Sequence, residues 1–85
     1  MSTRILYFAR LREDMGLAQE MVDLPPDVTD VASLRAHLYA RGGTSAIALA
    51  PGKAVRVSVN QDISRDTSPV KAGDEIAFFP PVTGG

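Results

Sequence analysis

Hydrophobic residues in this chain form short runs separated by turn-forming residues. Residues 5–9 are apolar at every position and rich in β-favouring side chains, which predicts a central strand. Residues 20–24 predict a second strand, paired with the first as a hairpin and ended by the two prolines at 25–26. The charged stretch 10–15 between them predicts a loop with room for one helical turn, and Gly16 ends this stretch.

The middle of the chain has the spacing of an amphipathic helix. Val31, Leu34 and Leu38 fall at i, i+3 and i+7 and form one apolar stripe. Asp30 is a favourable N-cap just before them, and the glycines at 42–43 end the pattern. We therefore predict a helix over residues 31–41 that lies on one face of a sheet. The small apolar residues 46–49 predict one further turn.

The last third of the chain predicts strands again. Residues 55–59 alternate, which places valines inward and polar side chains outward. Ile63 begins a short edge strand after a turn at 60–62, and residues 75–79 form a final strand after a turn at 69–74.

The order of elements predicts the fold class. Two strands, a helix and two or three further strands indicate an α+β domain, with a mixed sheet of four to five strands and one main helix packed on one face. The β-grasp, or ubiquitin-like, fold matches this order best. A ferredoxin-like fold requires a second full helix, which the hydrophobic pattern does not contain.

Composition excludes several functional classes. The chain has 85 residues, enough for one domain with a thin core. Its net charge is −1 without a block of like charges, so neither nucleic acid nor an anionic membrane is an expected partner. Cysteine is absent, which excludes disulfides, thiolate metal sites and a cysteine nucleophile. The opening apolar run is too short for a signal peptide or a transmembrane helix, so we expect a cytoplasmic protein.

The sequence contains no recognisable set of catalytic side chains. The single histidine, His37, lies mid-helix and is most simply a surface residue, and one histidine without cysteine cannot build a usual zinc site. No nucleophile-elbow, phosphate-loop or dinucleotide motif is present. We therefore expect that this chain binds no cofactor or metal and is not catalytic alone.

The C-terminal residues suggest a different kind of reactive group. We divide the chain into a domain at 1–79 and an extended, flexible tail at 80–85. Two prolines favour an extended path, and the terminal glycines have no side chains, so the carboxylate can enter a narrow channel. A carboxylate must first be activated, for example as an acyl-adenylate, before it takes part in group transfer. For Gly-Gly alone, a frayed terminus would be the simpler interpretation.

Three segments identify a known family. They are DEIAFFPPVTGG at 74–85, LYFARLRE at 6–13 and VNQ at 59–61. With them the whole chain resembles the small subunit of molybdopterin synthase, a β-grasp sulfur carrier of molybdenum cofactor biosynthesis. Gly-Gly is shared with ubiquitin-like proteins and the thiazole-pathway carrier, whereas FFPPVTGG is far more specific. Tyr7 stands where this family commonly has phenylalanine.

The resemblance implies a reaction cycle centred on Gly85. An ATP-dependent activating enzyme adenylates the Gly85 carboxylate, and sulfur from a donor protein converts it to a thiocarboxylate. The tail, with Gly84, then enters a pocket of the large synthase subunit, where sulfur passes to cyclic pyranopterin monophosphate. Two small and two large subunits form a heterotetramer in this family. Since no residue follows Gly85, no processing step is expected.

The resemblance also implies which residues contact the large subunit. These are Phe8, Arg12, Ile63, Phe79, Pro80, Pro81, Val82 and Thr83. Strand alternation places Ile76 and Phe78 inward and Phe79 outward, which favours an interface role for Phe79. For Phe8, the pattern leaves core and interface equally open.

Two other functions share the same tail chemistry. A ubiquitin-like modifier would join its tail to a lysine by an isopeptide bond, and an interaction module would only dock. A sulfur carrier for thiazole synthesis is the other alternative, although such carriers are shorter and lack the Pro-Pro ending.

Overall fold

The structure is a computed structural model that describes residues 2–81. Within that range the chain forms five strands and three helices. In chain order they are β1 Ser2–Tyr7, α1 Ala9–Met15, β2 Gln19–Asp23, α2 Val31–Ala40, α3 Gly43–Ala48, β3 Arg56–Val59, β4 Asp62–Ser64 and β5 Glu75–Phe79.

The strands form one mixed sheet in the order β2-β1-β5-β3-β4. β1 and β5 are parallel, whereas β1–β2, β3–β4 and β3–β5 are antiparallel. The predicted hairpin of the first two strands and the edge strand at Ile63 are confirmed. The architecture is the predicted α+β β-grasp fold, with β5 at the centre of the sheet.

The core lies between the inner face of the sheet and the helices. The predicted stripe of Val31, Leu34 and Leu38 is buried, with at most 1% of each residue exposed. These residues belong to one cluster with Ile5 of β1 and Ile76 of β5. The longest helix therefore packs on one face of the sheet, as predicted.

The ends of α2 follow from local side-chain chemistry. The Ser33 backbone N–H donates to Asp30 Oδ1 over 2.8 Å, and the Asp30 N–H donates to Ser33 Oγ over 3.1 Å. These bonds form a capping box. The Ser33 hydroxyl also donates to Asp30 Oδ1 over 2.7 Å, and this bond, together with that from the Ser33 N–H, lowers the pKa of the Asp30 carboxyl. The helix ends at Ala40, and Gly42, with φ of 76°, leads into α3.

Three elements differ clearly from the prediction. The stretch 10–15 is helical rather than a loop, because Leu11 and Met15 sit one turn apart and both are buried. The first strand ends at Tyr7 rather than residue 9, because Ala9 adopts a left-handed φ of 52° where α1 begins. The further turn predicted at 46–49 is a short helix that starts earlier, at Gly43.

The polar residues of β3 lie on the outer face as predicted, but one of them is buried rather than exposed to solvent. Arg56 is exposed as expected, but Ser58 is only 8% exposed. Its register partners are Ala77 on one side and Ile63 on the other, and these neighbours cover it.

No helix within residues 2–81 is long and apolar enough to cross a bilayer.

Candidate functional site

The outer face of the sheet, opposite the helices, carries a row of mostly apolar side chains. Leu6, Ala77, Ser58 and Ile63 are successive register partners across β1, β5, β3 and β4. Since Tyr7, Ile76 and Phe78 are buried in the core, alternation places Leu6, Ala77 and Phe79 on the opposite side. We call the following residues the outer patch: Leu6, Phe8, Ile63, Ala77 and Phe79.

Phe8 extends this patch beyond the end of β1. Its backbone N–H donates to the Phe78 carbonyl over 3.1 Å, which continues the parallel pairing and places Phe8 beside Phe79. Phe8 is 48% exposed and Ile63 is 72% exposed, while Phe79 is half-buried. The exposure of Phe8 excludes the alternative that it belongs to the core. Exposed apolar side chains that cluster in this way are typical of interaction surfaces.

The tail leaves the sheet next to the outer patch. Strand β5 ends at Phe79, and Pro80 and Pro81 follow as half-buried, irregular backbone. The remaining predicted site residues, 82–85, lie outside the described residues. Arg12 is exposed on α1, one helical turn after Phe8.

A polar clasp around the buried carboxylate of Asp74 lies where β5 begins. The Asn60 side-chain amide donates to Asp74 Oδ1 over 3.0 Å, and the Glu75 N–H donates to Asn60 Oδ1 over 2.9 Å. The Lys71 N–H donates to the other Asp74 oxygen over 2.9 Å. Asn60 and Gln61 both have positive φ, as a two-residue type I′ hairpin requires.

A second polar cluster lies at the C-terminal end of β1, on the side of the sheet that faces the helices. Tyr7 Oη donates to Glu20 Oε2 over 2.7 Å, and Arg41 donates to both Glu20 oxygens over 2.8 and 2.9 Å. Arg41 also donates to Ser45 Oγ over 2.8 Å, so the cluster joins β1, β2, α2 and α3. No sequence motif indicates this cluster, because its members are far apart in the chain.

The cluster shifts the pKa values of its members in the directions expected for an ion pair next to a buried phenol. The hydrogen bonds from Arg41 hold the pKa of Glu20 below its usual range. Burial raises the pKa of Tyr7, and the adjacent Glu20 carboxylate raises it further. The Glu20 carboxylate likewise raises the pKa of Arg41. All three groups therefore keep their ordinary charge states at neutral pH.

Charges around the outer patch divide into paired and unpaired groups. Arg4 lies 4.0 Å from Glu75, and Arg10 lies 3.6 Å from Asp14. For Arg12 and Arg56, no carboxylate among residues 2–81 comes within 4.0 Å of the guanidinium. Arg56 is the register partner of Phe79. The sequence prediction included Arg12 but missed Arg56, whose only signal was its outward position in β3.

No enclosed substrate cavity accompanies the outer patch in the described residues. A shallow recess of about 330 Å³ lies instead beside α2 and the 49–52 loop, and Arg35 and Asp66 contribute to its wall. Arg35 already donates to the carbonyls of Leu49, Ala50 and Lys53. Residues 2–81 contain no cluster of potential metal ligands. The outer face is thus suited to binding a macromolecule rather than enclosing a small substrate.

Comparison with known proteins gives consistent relatives. The model of the ThiS family matches residues 5–85. The molybdopterin synthase sulfur carrier subunit of Haemophilus influenzae is 44% identical over 81 residues, covering 95% of this chain and 96% of that protein. The protein of the same name from Escherichia coli K12 is 40% identical over 82 residues, covering 96% and 98%.

A solved structure supports the fold independently. Small archaeal modifier protein 1 from H. volcanii superposes with a TM-score of 0.73 at 27% identity, covering 95% of this chain and 98% of that one. This likeness, together with the mixed five-stranded sheet, supports the β-grasp fold.

Proposed function

The chain belongs to the ThiS family, and on that premise we propose that it is the sulfur carrier subunit of a molybdopterin synthase. Its relatives at 40–44% identity carry that name, and the identity extends over almost the full length of both proteins. The structural observation that supports the proposal is the outer patch, an exposed apolar surface placed where the C-terminal segment leaves the sheet.

The chemistry takes place at the Gly85 carboxylate. In the activating enzyme, a carboxylate oxygen attacks the α-phosphate of ATP and pyrophosphate leaves, which gives an acyl-adenylate. Hydrosulfide delivered by the donor protein then attacks the acyl carbon and displaces AMP, which leaves a thiocarboxylate and releases a proton. The carrier contributes the acyl group and the shape of its tail, whereas ATP is bound by the activating enzyme.

The thiocarboxylate then donates its sulfur within the synthase complex. The large subunit binds the outer patch through Phe8, Ile63 and Phe79, with Arg12 at its border. The segment from Pro80 through Thr83 spans the distance to the large subunit's pocket, and Gly84 passes through its narrow part. There the sulfur is transferred to cyclic pyranopterin monophosphate. Two transfers supply the dithiolene of molybdopterin, and two small and two large subunits form the assembly.

The function of a ubiquitin-like modifier is the second candidate, because a small archaeal modifier protein has the same fold. A modifier would use the same adenylated Gly85 but transfer the acyl group to a lysine amine. The two functions therefore differ in what attacks the activated carboxyl. A carrier for thiazole synthesis would form the same thiocarboxylate and differ only in the acceptor.

An intact-mass experiment separates these functions. The full chain is incubated with its activating enzyme, ATP and a sulfur source, and we expect the mass of one oxygen-to-sulfur exchange, located in the C-terminal peptide. Adding the large subunit and cyclic pyranopterin monophosphate should restore the original mass and produce molybdopterin. Isopeptide-linked conjugates without a thiocarboxylate would favour the modifier. A thiocarboxylate that the synthase large subunit cannot discharge would favour thiazole synthesis.

A further inference from the structure

Two arginines that have no carboxylate within 4.0 Å among residues 2–81 flank the aromatic end of the outer patch. Arg56 lies opposite Phe79 in the β3–β5 register. Arg12 lies on the other side, where its backbone N–H donates to the Phe8 carbonyl over 3.4 Å. The neighbouring Arg4 and Arg10 each have a carboxylate within 4.0 Å, whereas Arg12 and Arg56 have none among residues 2–81.

This arrangement has a consequence once a partner covers the patch. Burial of Phe8 and Phe79 would remove water from the two adjacent guanidinium groups. A charge that loses its water without gaining a counterion is strongly destabilising, so the partner must provide anions at these positions. Arginine is suited to this task, because its planar group binds a carboxylate through two parallel hydrogen bonds.

We propose that Arg56 and Arg12 form a cationic pair that selects a partner whose apolar recess has a carboxylate on each side. The inference rests on the proposed function, since it describes the surface of the large subunit that binds the outer patch. Arg56 is assigned here as a specificity-determining residue of that interface, in addition to the apolar contacts and Arg12.

The pair acts on both recognition and rate. Opposite charges on the two surfaces steer the encounter and accelerate association, most strongly at low ionic strength. A surface with lysine or arginine beside its recess would be rejected, because like charges would be brought together as the apolar side chains meet. The carrier has a net charge of only −1, so steering of this kind depends on the local arginines rather than on overall charge.

The test compares association kinetics of full-length carriers with the large subunit at low and high salt. The variants are Arg56→Glu, Arg12→Glu and Lys53→Glu. Lys53 makes the control, since it is exposed and its carbonyl binds Arg35 of α2 on the helical side of the molecule. All three changes alter the net charge equally, so only position differs. Circular dichroism and melting temperature verify that each variant is folded.

We expect Arg56→Glu and Arg12→Glu each to slow association at least roughly tenfold at low salt, with a smaller difference at high salt. Lys53→Glu should remain close to the unchanged carrier. If Arg56→Glu associates as fast as Lys53→Glu while the unchanged carrier binds well, the role of Arg56 is wrong and the proposed function stands. If the unchanged carrier does not bind the large subunit, the proposed function itself fails.

Discussion

Tyr7 and Phe78 are register partners on the parallel strands β1 and β5, and their rings stack with centroids 6.2 Å apart and planes inclined by 15°. The Tyr7 hydroxyl reaches past the stack to Glu20, which Arg41 holds from the opposite side. The stack therefore links the end of β5 to the polar cluster that joins β1 and β2 to α2 and α3. Phe8 and Phe79, each the next residue along the chain, therefore follow directly on this buried pair.

The Glu20 carboxylate gives the protein a specific response to acid. Its pKa is lowered in the folded state, mainly by hydrogen bonds from Arg41, so its contribution to stability is present above the unfolded pKa of roughly 4.3 and is lost as pH falls through the folded value. We expect Glu20→Gln to be less stable than the unchanged protein at pH 7, with the difference disappearing at acidic pH. Urea unfolding at both pH values measures this.

Glu13→Gln is the matched control for this prediction, because Glu13 is exposed and has no cation within 4.0 Å among residues 2–81. It should shift the urea midpoint little at either pH. An equal loss of stability for Glu20→Gln at neutral and acidic pH would show that the ion pair with Arg41 does not control the response.

Leu34 is the central core contact of α2. It is fully buried, so Leu34→Ala removes apolar contacts and leaves a cavity, and we expect a cost of about 2–5 kcal/mol in the free energy of unfolding. Chemical denaturation measures the difference. Ile47→Ala is the control, because Ile47 is 62% exposed and should change stability by no more than about 0.5 kcal/mol. Equal effects of the two changes would contradict the packing described for α2.

Phe79 tests the outer patch as a binding surface. Phe79→Ala should weaken binding to the large subunit by about 2 kcal/mol or more if the ring is an energetic centre of the interface. Its inward neighbour Phe78 provides the contrast, because Phe78→Ala should unfold or strongly destabilise the domain. Calorimetric binding and circular dichroism separate the two effects. Loss of fold in Phe79→Ala would assign that ring to the core instead.

Deletion of Gly85 tests the position of the reacting group. The deletion moves the carboxylate back by about 3.3–3.6 Å, and a displacement of even about 1 Å can cost on the order of a hundredfold in rate. We expect the shortened protein to fold, to bind the large subunit and to support no molybdopterin formation. Full sulfur transfer by the shortened protein would refute a reaction centred on Gly85.

The sequence was sufficient to predict the elements whose pattern is local. Asp30 as a cap, the stripe through Leu34 and the outward position of Phe79 all depend on residues close in the chain. Helix α1 was missed because Leu11 and Met15 are only two apolar positions within a charged stretch. The burial of Ser58 could not be predicted, because it depends on which strands flank β3.

The site was predictable to the extent that the family pattern carries it. Phe8, Arg12, Ile63 and Phe79 were identified by resemblance, and the structure places the aromatic pair on one surface. The cluster around Glu20 was missed because its members come from strands and helices far apart in the chain, and Arg56 was missed because its neighbour Phe79 lies on another strand. Their arrangement is decided only when the sheet order is known.

The parallel pairing of β1 with β5 also governs when the carrier becomes functional during its synthesis. Residues 4–7 pair with residues 75–78, so β1 cannot form this pairing until β5 has been synthesised. Because β5 lies between β1 and β3, the β3–β4 pair cannot join the β1–β2 hairpin until β5 is in place. Such distant pairing makes folding depend on loop closure across nearly the whole chain. A chain without residues 75–79 therefore lacks Ala77 and Phe79 of the outer patch and the buried Ile76 and Phe78 of the core.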